Sequence, residues 1–134
     1  MTSKAFRRLL VWGVAVLGST GSVAQPLPPQ AAIGFVVAPL ALVELAGELE
    51  GLQGRTFRLS QVTLAPAGAT PLHDHTGRPE IIYVVKGRLT EHRGGGSIVY
   101  GPGETLKATK DTRHWIENRT SEPVIFLAMS IVKS

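Results

Sequence analysis

Beyond residue 33 the chain alternates between short apolar runs and clusters of turn-forming residues. "GFVVAPLALVELAG" mixes β-branched residues with Leu and Ala. It reads as one strand over about 34–37 and a second around 40–45. A short helix through "LALVELAGEL" competes for the same residues, because periodicity does not separate the two in so short a run. "GLQG" at 51–54 is a turn. In "RTFRLSQVTLAPAG", Phe57 and Leu59 fall on one face, and Val62 and Leu64 on the other. The period of two breaks inside that run, which predicts a strand with a bulge or one buried on both faces. "APAGATP" reads as a turn. Strands follow over 72–75, 80–85, 88–92, 97–100, 105–108, 114–118 and 124–132. Turns fall at "TGRP", Lys86-Gly87 and "GPGE", and "RGGGS" is a flexible loop. Roughly eight to ten short strands with regular turn signals predict an all-β sandwich or barrel.

Composition narrows this picture. A chain of 134 residues with 43% hydrophobic and 18% charged residues holds one domain with a real core. Fifteen glycines and nine prolines suit many turns. The absence of cysteine excludes a disulfide framework and a cysteine zinc site.

The net charge of +4 points toward nucleic acid only until the N-terminus is read. Lys4, Arg7 and Arg8 precede an apolar run from Leu9 to Leu17, and small residues lead to Ser22-Val23-Ala24. That is the order of a secretory signal, so residues 1–24 are expected to be a leader and the protein to be exported, periplasmic or secreted. The apolar run is too short to span the roughly 30 Å of a bilayer core, so no stable membrane anchor is expected after cleavage. Cleavage removes three basic residues and no acidic one, leaving eleven basic against ten acidic. A nearly neutral domain has no electrostatic footprint for nucleic acid. Residues 25–33, "QPLPPQAAI", form a Pro-rich tail, and 34–134 make the single domain.

The chemistry lies in the histidines. His73 and His75 are two apart, so on a strand they project to one face. Glu80 follows, and Gly77 and Pro79 break the chain between them so that a turn can return the carboxylate to the pair. His114 opens a later strand in "HWIEN". Taken alone, H-x-H also describes two surface histidines on an edge strand, and a lone His114 describes a half-buried strand residue. Together, three imidazoles and one carboxylate are a mixed N/O donor set for Mn, Fe, Co, Ni, Cu or Zn, and a poor one for calcium.

At this point the chain resembles the cupin family. The family's first motif is written G-x5-H-x-H-x3,4-E-x6-G. Here Gly68, His73, His75, Glu80 and Gly87 match it with only the first gap one residue short. The second, G-x5-P-x-G-x2-H-x3-N, is met by Gly103, His114 and Asn118. Thr109 stands where the family has Pro, and Asp111 where it has Gly. An Asp can close such a turn with its own side chain, so the departure bears on the turn at 109–113 more than on the donors. The resemblance implies a small antiparallel β-barrel or jelly roll of two sheets. It implies His73, His75, Glu80 and His114 as ligands of one divalent transition metal. It also implies a homodimer, for which the apolar segment "GFVVAPLALVEL" offers an interface strand.

Several neighbours take expectations of their own. Gly87 and Gly103 are turn glycines needing positive φ. Asn118 bonds backbone near its strand end. Trp115 points away from His114 into packing, while Ile82 and Val84 share Glu80's face and wall the pocket. Tyr83 and Tyr100 are expected in core or interface packing. Of Glu91 and His92 one faces inward, and both are candidate proton donors or acceptors, with a solvated strand end as the simpler placement. Arg88 and Arg113 are candidate carboxylate anchors, and Arg113 a candidate catalytic residue. The expected function is a metal-dependent enzyme of dioxygenase, lyase or isomerase type acting on a small organic molecule. The alternative is a protein that binds a metal or small ligand without chemistry.

Overall fold

The computed structural model describes residues 24–134, and the leader read at 1–24 lies, but for Ala24, outside the described residues. Nine strands follow one another: β1 Ile33–Glu44, β2 Arg55–Ala69, β3 His73–Asp74, β4 Glu80–Lys86, β5 Leu89–Arg93, β6 Gly96–Tyr100, β7 Thr105–Ala108, β8 Arg113–Glu117 and β9 Val124–Lys133. All pairings are antiparallel. One wall runs β1-β2-β9-β4-β7, and the other runs β6-β5-β8 with β3 added at β8. The walls join where Ala69 at the end of β2 pairs with Glu117 of β8, giving one nearly closed β-barrel sheet. No helix among the described residues is long and apolar enough to cross a membrane.

Two readings change along β1 and β2. The segment 34–45 is one strand and not two, with a register irregularity between Pro39 and Ala41. "APAG" is not a turn between strands. β2 runs through it to Ala69 and absorbs the extra residues as a bulge, with Ala67 at φ 58°. Phe35 pairs with Leu64 while Ile33 pairs with Ala69, so residues 65–68 are looped out of register. A wide bulge and a hairpin turn use the same residue types, which is why the two look alike in sequence.

Register explains how the interior is graded. On the first wall, Val62, Phe126 and Val84 lie in one row across β2, β9 and β4, and all three face the core. One step toward the mouth, Ser60, Ala128 and Ile82 form the next row. The step after that is Arg58, Ser130 and Glu80. The barrel is therefore apolar at one end and polar at the other. Strand β2 follows a regular alternation, with Thr56, Ser60, Val62 and Leu64 buried and Phe57 exposed. Its hydrophobic period breaks in sequence because Thr56, Arg58 and Ser60 take inward positions that an ordinary core would fill with apolar side chains.

The β5–β6 hairpin is tight and not a loose loop. Arg93 pairs with Gly96, leaving Gly94 and Gly95, both at positive φ, as the two central residues. That is the requirement of a type I′ turn. Gly87 and Gly103 also take positive φ, as expected. Gly87 has a second constraint, because a Cβ there would sit 2.9 Å from the Pro123 carbonyl oxygen and 3.0 Å from Val124 Cα. Gly94 has open space around it. Gly94→Ala should cost only the left-handed conformation, about 1–2 kcal/mol. Gly87→Ala adds a backbone clash and should cost about 2–5 kcal/mol. Denaturant unfolding of the two variants side by side checks the difference.

Candidate metal centre

Strand β3 is only two residues long, and it hangs on β8 through the pairs His73–His114 and Asp74–Arg113. The predicted strand at 72–75 thus shrinks to the part that carries the first histidine. His75 is placed by the turn that follows, its N–H donating to the Thr112 carbonyl at 3.2 Å. His73, His75 and His114 come together, one ring nitrogen of each lying within 4.8 Å of the others. The ring centroids are 4.8–5.1 Å apart. His75 and His114 are buried and His73 is half-buried.

Each ring is held by its Nδ1. That of His73 lies 2.9 Å from the Pro71 carbonyl, and that of His75 3.2 Å from the Arg78 carbonyl. That of His114 lies 2.6 Å from Glu91 Oε1. Carbonyls and carboxylates only accept, so all three Nδ1 atoms carry the proton and all three Nε2 atoms carry the lone pair. The Nε2 atoms of His75 and His114 nevertheless face each other at 2.9 Å. Two lone pairs at that distance repel unless a cation sits between them. A proton is a poor candidate, because burial and the Arg78 charge push the His75 pKa down to about 4. Burial also lowers His73. A divalent ion satisfies both nitrogens, and the anchored Nδ1 atoms are the arrangement that metal-bound histidines use. The donor set therefore fits a metal.

Glu80, expected as the fourth ligand, is close but not in the cluster. Its Oε2 lies 3.8 Å from His75 Nδ1, and its Oε1 lies 3.8 Å from Arg78. Burial raises its pKa against the opposing pull of Arg78, His114 and Arg58.

Glu91 faces inward and His92 outward, so one of the pair does turn in. The solvated strand end is corrected, because both are buried. Glu91 Oε1 accepts from Arg93, and its Oε2 accepts from the Tyr100 hydroxyl at 3.1 Å. Burial alone would raise the Glu91 pKa, but hydrogen bonds from His114 and Arg93 hold it below the ordinary carboxylate value. His92 stacks on Trp115, centroids 3.9 Å apart, and its Nε2 lies 2.8 Å from Glu117. Trp115 is packed and points away from the metal cluster, as expected. Tyr83 lies on the exposed face of β4. Asn118 is structural: its Nδ2 reaches the carbonyls of Leu64, Ala65 and Glu122, and its Oδ1 accepts from Thr120.

A cavity of about 250 Å³ opens beside His73. Ile82 forms part of its wall, as expected, while Val84 belongs to the core beneath. The charged residues lining it are Arg58, Arg78 and Glu80. Arg88 and Arg113, the arginines singled out in sequence, are exposed and line no part of it. Arg58, not singled out in sequence, lines it instead. An arginine in phase with Ser60, Val62 and Leu64 was the available signal.

Residues 60–130 match the family model of the cupin domain. The oxalate-binding protein of Thermotoga maritima is 28% identical over 92 residues, covering 67% of this chain and 76% of that one. An oxalate oxidase solved with the substrate analogue glycolate superposes with TM-score 0.55 at 25% identity, covering 75% of this chain and 55% of that one. The polyketide cyclase RemF from Streptomyces resistomycificus gives TM-score 0.61 at 22% identity, over 78% and 68% of the two chains.

Metal-free protein has a signed pH dependence. The His75 pKa is lowered in the fold, so the unfolded chain binds the proton first. Stability should fall as pH drops from about 6.5 toward 4, and His75→Asn should flatten that slope. Denaturation midpoints of the chelator-treated protein across this range check it.

Proposed function

Because this chain belongs to the cupin family, we propose that it is a metal-dependent cupin acting on a small organic molecule. The observation that carries the reading is the convergence of three Nδ1-anchored imidazoles. His73, His75 and His114 would hold the ion, with Glu80 beside them, 3.8 Å from His75 Nδ1. Bound there, a divalent metal supplies Lewis-acid polarisation or dioxygen activation. Glu91 keeps the proton on His114 Nδ1, which leaves Nε2 free as a donor. Arg93 and Tyr100 fix the Glu91 carboxylate in turn. Ile82, Phe126 and Ile116 give the cavity apolar walls. Arg78 holds Glu80 on the cavity side. The names of the relatives, an oxalate-binding protein and an oxalate oxidase, favour a small organic ligand.

A second reading, capture of a ligand without chemistry, is favoured by one observation. Glu91 is committed to His114, and His92 to Glu117 on the other face. Neither is available to move a proton in the cavity. Substrate-dependent oxygen uptake or turnover that His75→Ala abolishes decides for the enzyme. Its absence across enols, phenols and keto acids decides for the binder.

Two further parts belong to the reading. The leader directs the protein out of the cytoplasm. A second copy covers the outward face of the β1-β2-β9-β4 wall, where Val36, Val43, Phe57, Ile81, Tyr83 and Val85 are all exposed. Soluble monomers rarely leave such patches open. Light scattering should give a dimer, and Phe57→Asp with Ile81→Asp should give a monomer that still folds.

Metal content is the direct test. Mass spectrometry of untagged protein should find close to one divalent transition ion per chain, lost in His75→Ala and His114→Ala. Glu91→Gln should keep the same metal with affinity about 10–100-fold weaker. Metal-free wild type that also fails to reconstitute would overturn the reading.

A further inference from the structure

We propose that Arg58 and Ser60 form a carboxylate-binding subsite across the cavity from the histidines. The molecule it takes is an organic acid with an apolar body. The inference rests on reading the cavity as the ligand site, and goes on to say which ligand.

Both residues lie on the inward face of β2, two positions apart, and both line the cavity. Arg58 Nε and Ser60 Oγ are buried, and neither has a hydrogen-bond partner among the described residues. Ser60 is only 2% exposed. Buried polar groups in folded proteins almost always have partners, and leaving one unmade costs about 1–3 kcal/mol. Two such groups on one wall of one cavity call for an acceptor that enters it.

The obvious internal acceptor is already engaged elsewhere. Glu80 shares a row with Arg58, separated by Ser130 of β9. Its carboxylate lies by Arg78 and His75, at 3.8 Å from each, and no ion pair joins it to Arg58 among the described residues. The cavity thus holds two guanidinium groups against one carboxylate. A planar guanidinium matches a carboxylate through paired N–H donors, and the Ser60 hydroxyl can add a third.

The rest of the lining sets the remainder of the ligand. Phe35, Val62, Ile82 and Phe126 give it apolar walls. A volume of about 250 Å³ corresponds to roughly eight waters at about 30 Å³ each. Oxalate, two carboxyl groups and nothing else, has no apolar part to set against those walls. A monocarboxylate carrying an aromatic or branched body fills them. It places its charge on Arg58 and its other end toward His73.

The probes are benzoate, its neutral isostere benzamide, and oxalate. Titration calorimetry is run on wild type, Arg58→Gln, Ser60→Ala and the surface control Arg113→Gln, each metal-loaded and chelator-stripped. Benzoate should bind wild type more tightly than benzamide in both forms, and more tightly than oxalate in the chelator-stripped form, where no metal is present to chelate the oxalate. Arg58→Gln should weaken benzoate by about tenfold or more and Ser60→Ala by several-fold. Benzamide should be indifferent to both, and Arg113→Gln should change nothing. Should Arg58→Gln not fold, Arg58→Lys keeps the charge and loses the fork, and should still weaken benzoate several-fold. Benzoate affinity unchanged by these Arg58 variants, equal affinities for benzoate and benzamide, or no binding of any probe would overturn the subsite. The two readings fail separately. Arg58-dependent benzoate binding in a protein that takes no metal leaves the subsite standing and removes the metal. Stoichiometric metal with Arg58-independent binding does the reverse.

Discussion

The structure depends on the antiparallel registration of β2 with β1 and β9. Side chains on a strand alternate strictly between two faces, so fixing one register fixes every inward residue of the wall. Once Val62 is set beside Phe126, Ser60 must fall beside Ala128 and Arg58 beside Ser130. A one-residue slip would send Phe57 inward and Val62 out to solvent. The apolar rows at one end hold the register, and the polar rows at the other are carried into the cavity by it. Stability and site are built by the same pairing from different parts of one strand.

The second wall does the complementary work. β8 alternates His114 and Ile116 inward against Trp115 outward, so one short strand supplies a member of the histidine cluster, a core residue and an outer packing residue. β5 repeats this with Leu89 and Glu91 inward and His92 outward. The Glu91–His114 bond links the two strands through side chains, beside the ladder that joins them through backbone. Fixing the tautomer of His114 therefore needs no loop and no mobile residue. The half-buried His73, anchored only by the Pro71 carbonyl, is the donor turned toward the cavity.

The polarity of the cavity is uneven in a useful way. Arg58 stands on the β2 wall, apolar side chains lie below, and Arg78 and Glu80 sit beside the imidazoles. Guanidinium charge, apolar surface and the half-buried His73 thus border one space from different directions.

Much of this was legible in the order of residues. The all-β class, seven of the strands to within a residue or two, the positive φ of Gly87 and Gly103 and the pairing of His73 with His75 follow from local rules and spacing, while the grouping of these two with His114 comes through the cupin resemblance. The cupin resemblance of the chain holds. Other features are decided only by neighbours distant in sequence. Whether "APAG" turns or bulges depends on Ile33 and Phe35 pairing across it. Whether Glu91 or His92 faces His114 depends on which face of β5 meets β8. The part played by Arg58 depends on Glu80 being held by Arg78, and on the inward face of β2 bordering a cavity instead of a packed core. Sequence determines the alternation of side chains along each strand. Only tertiary structure decides which face becomes the inside, because that choice is made by the sum of buried area over all strands at once.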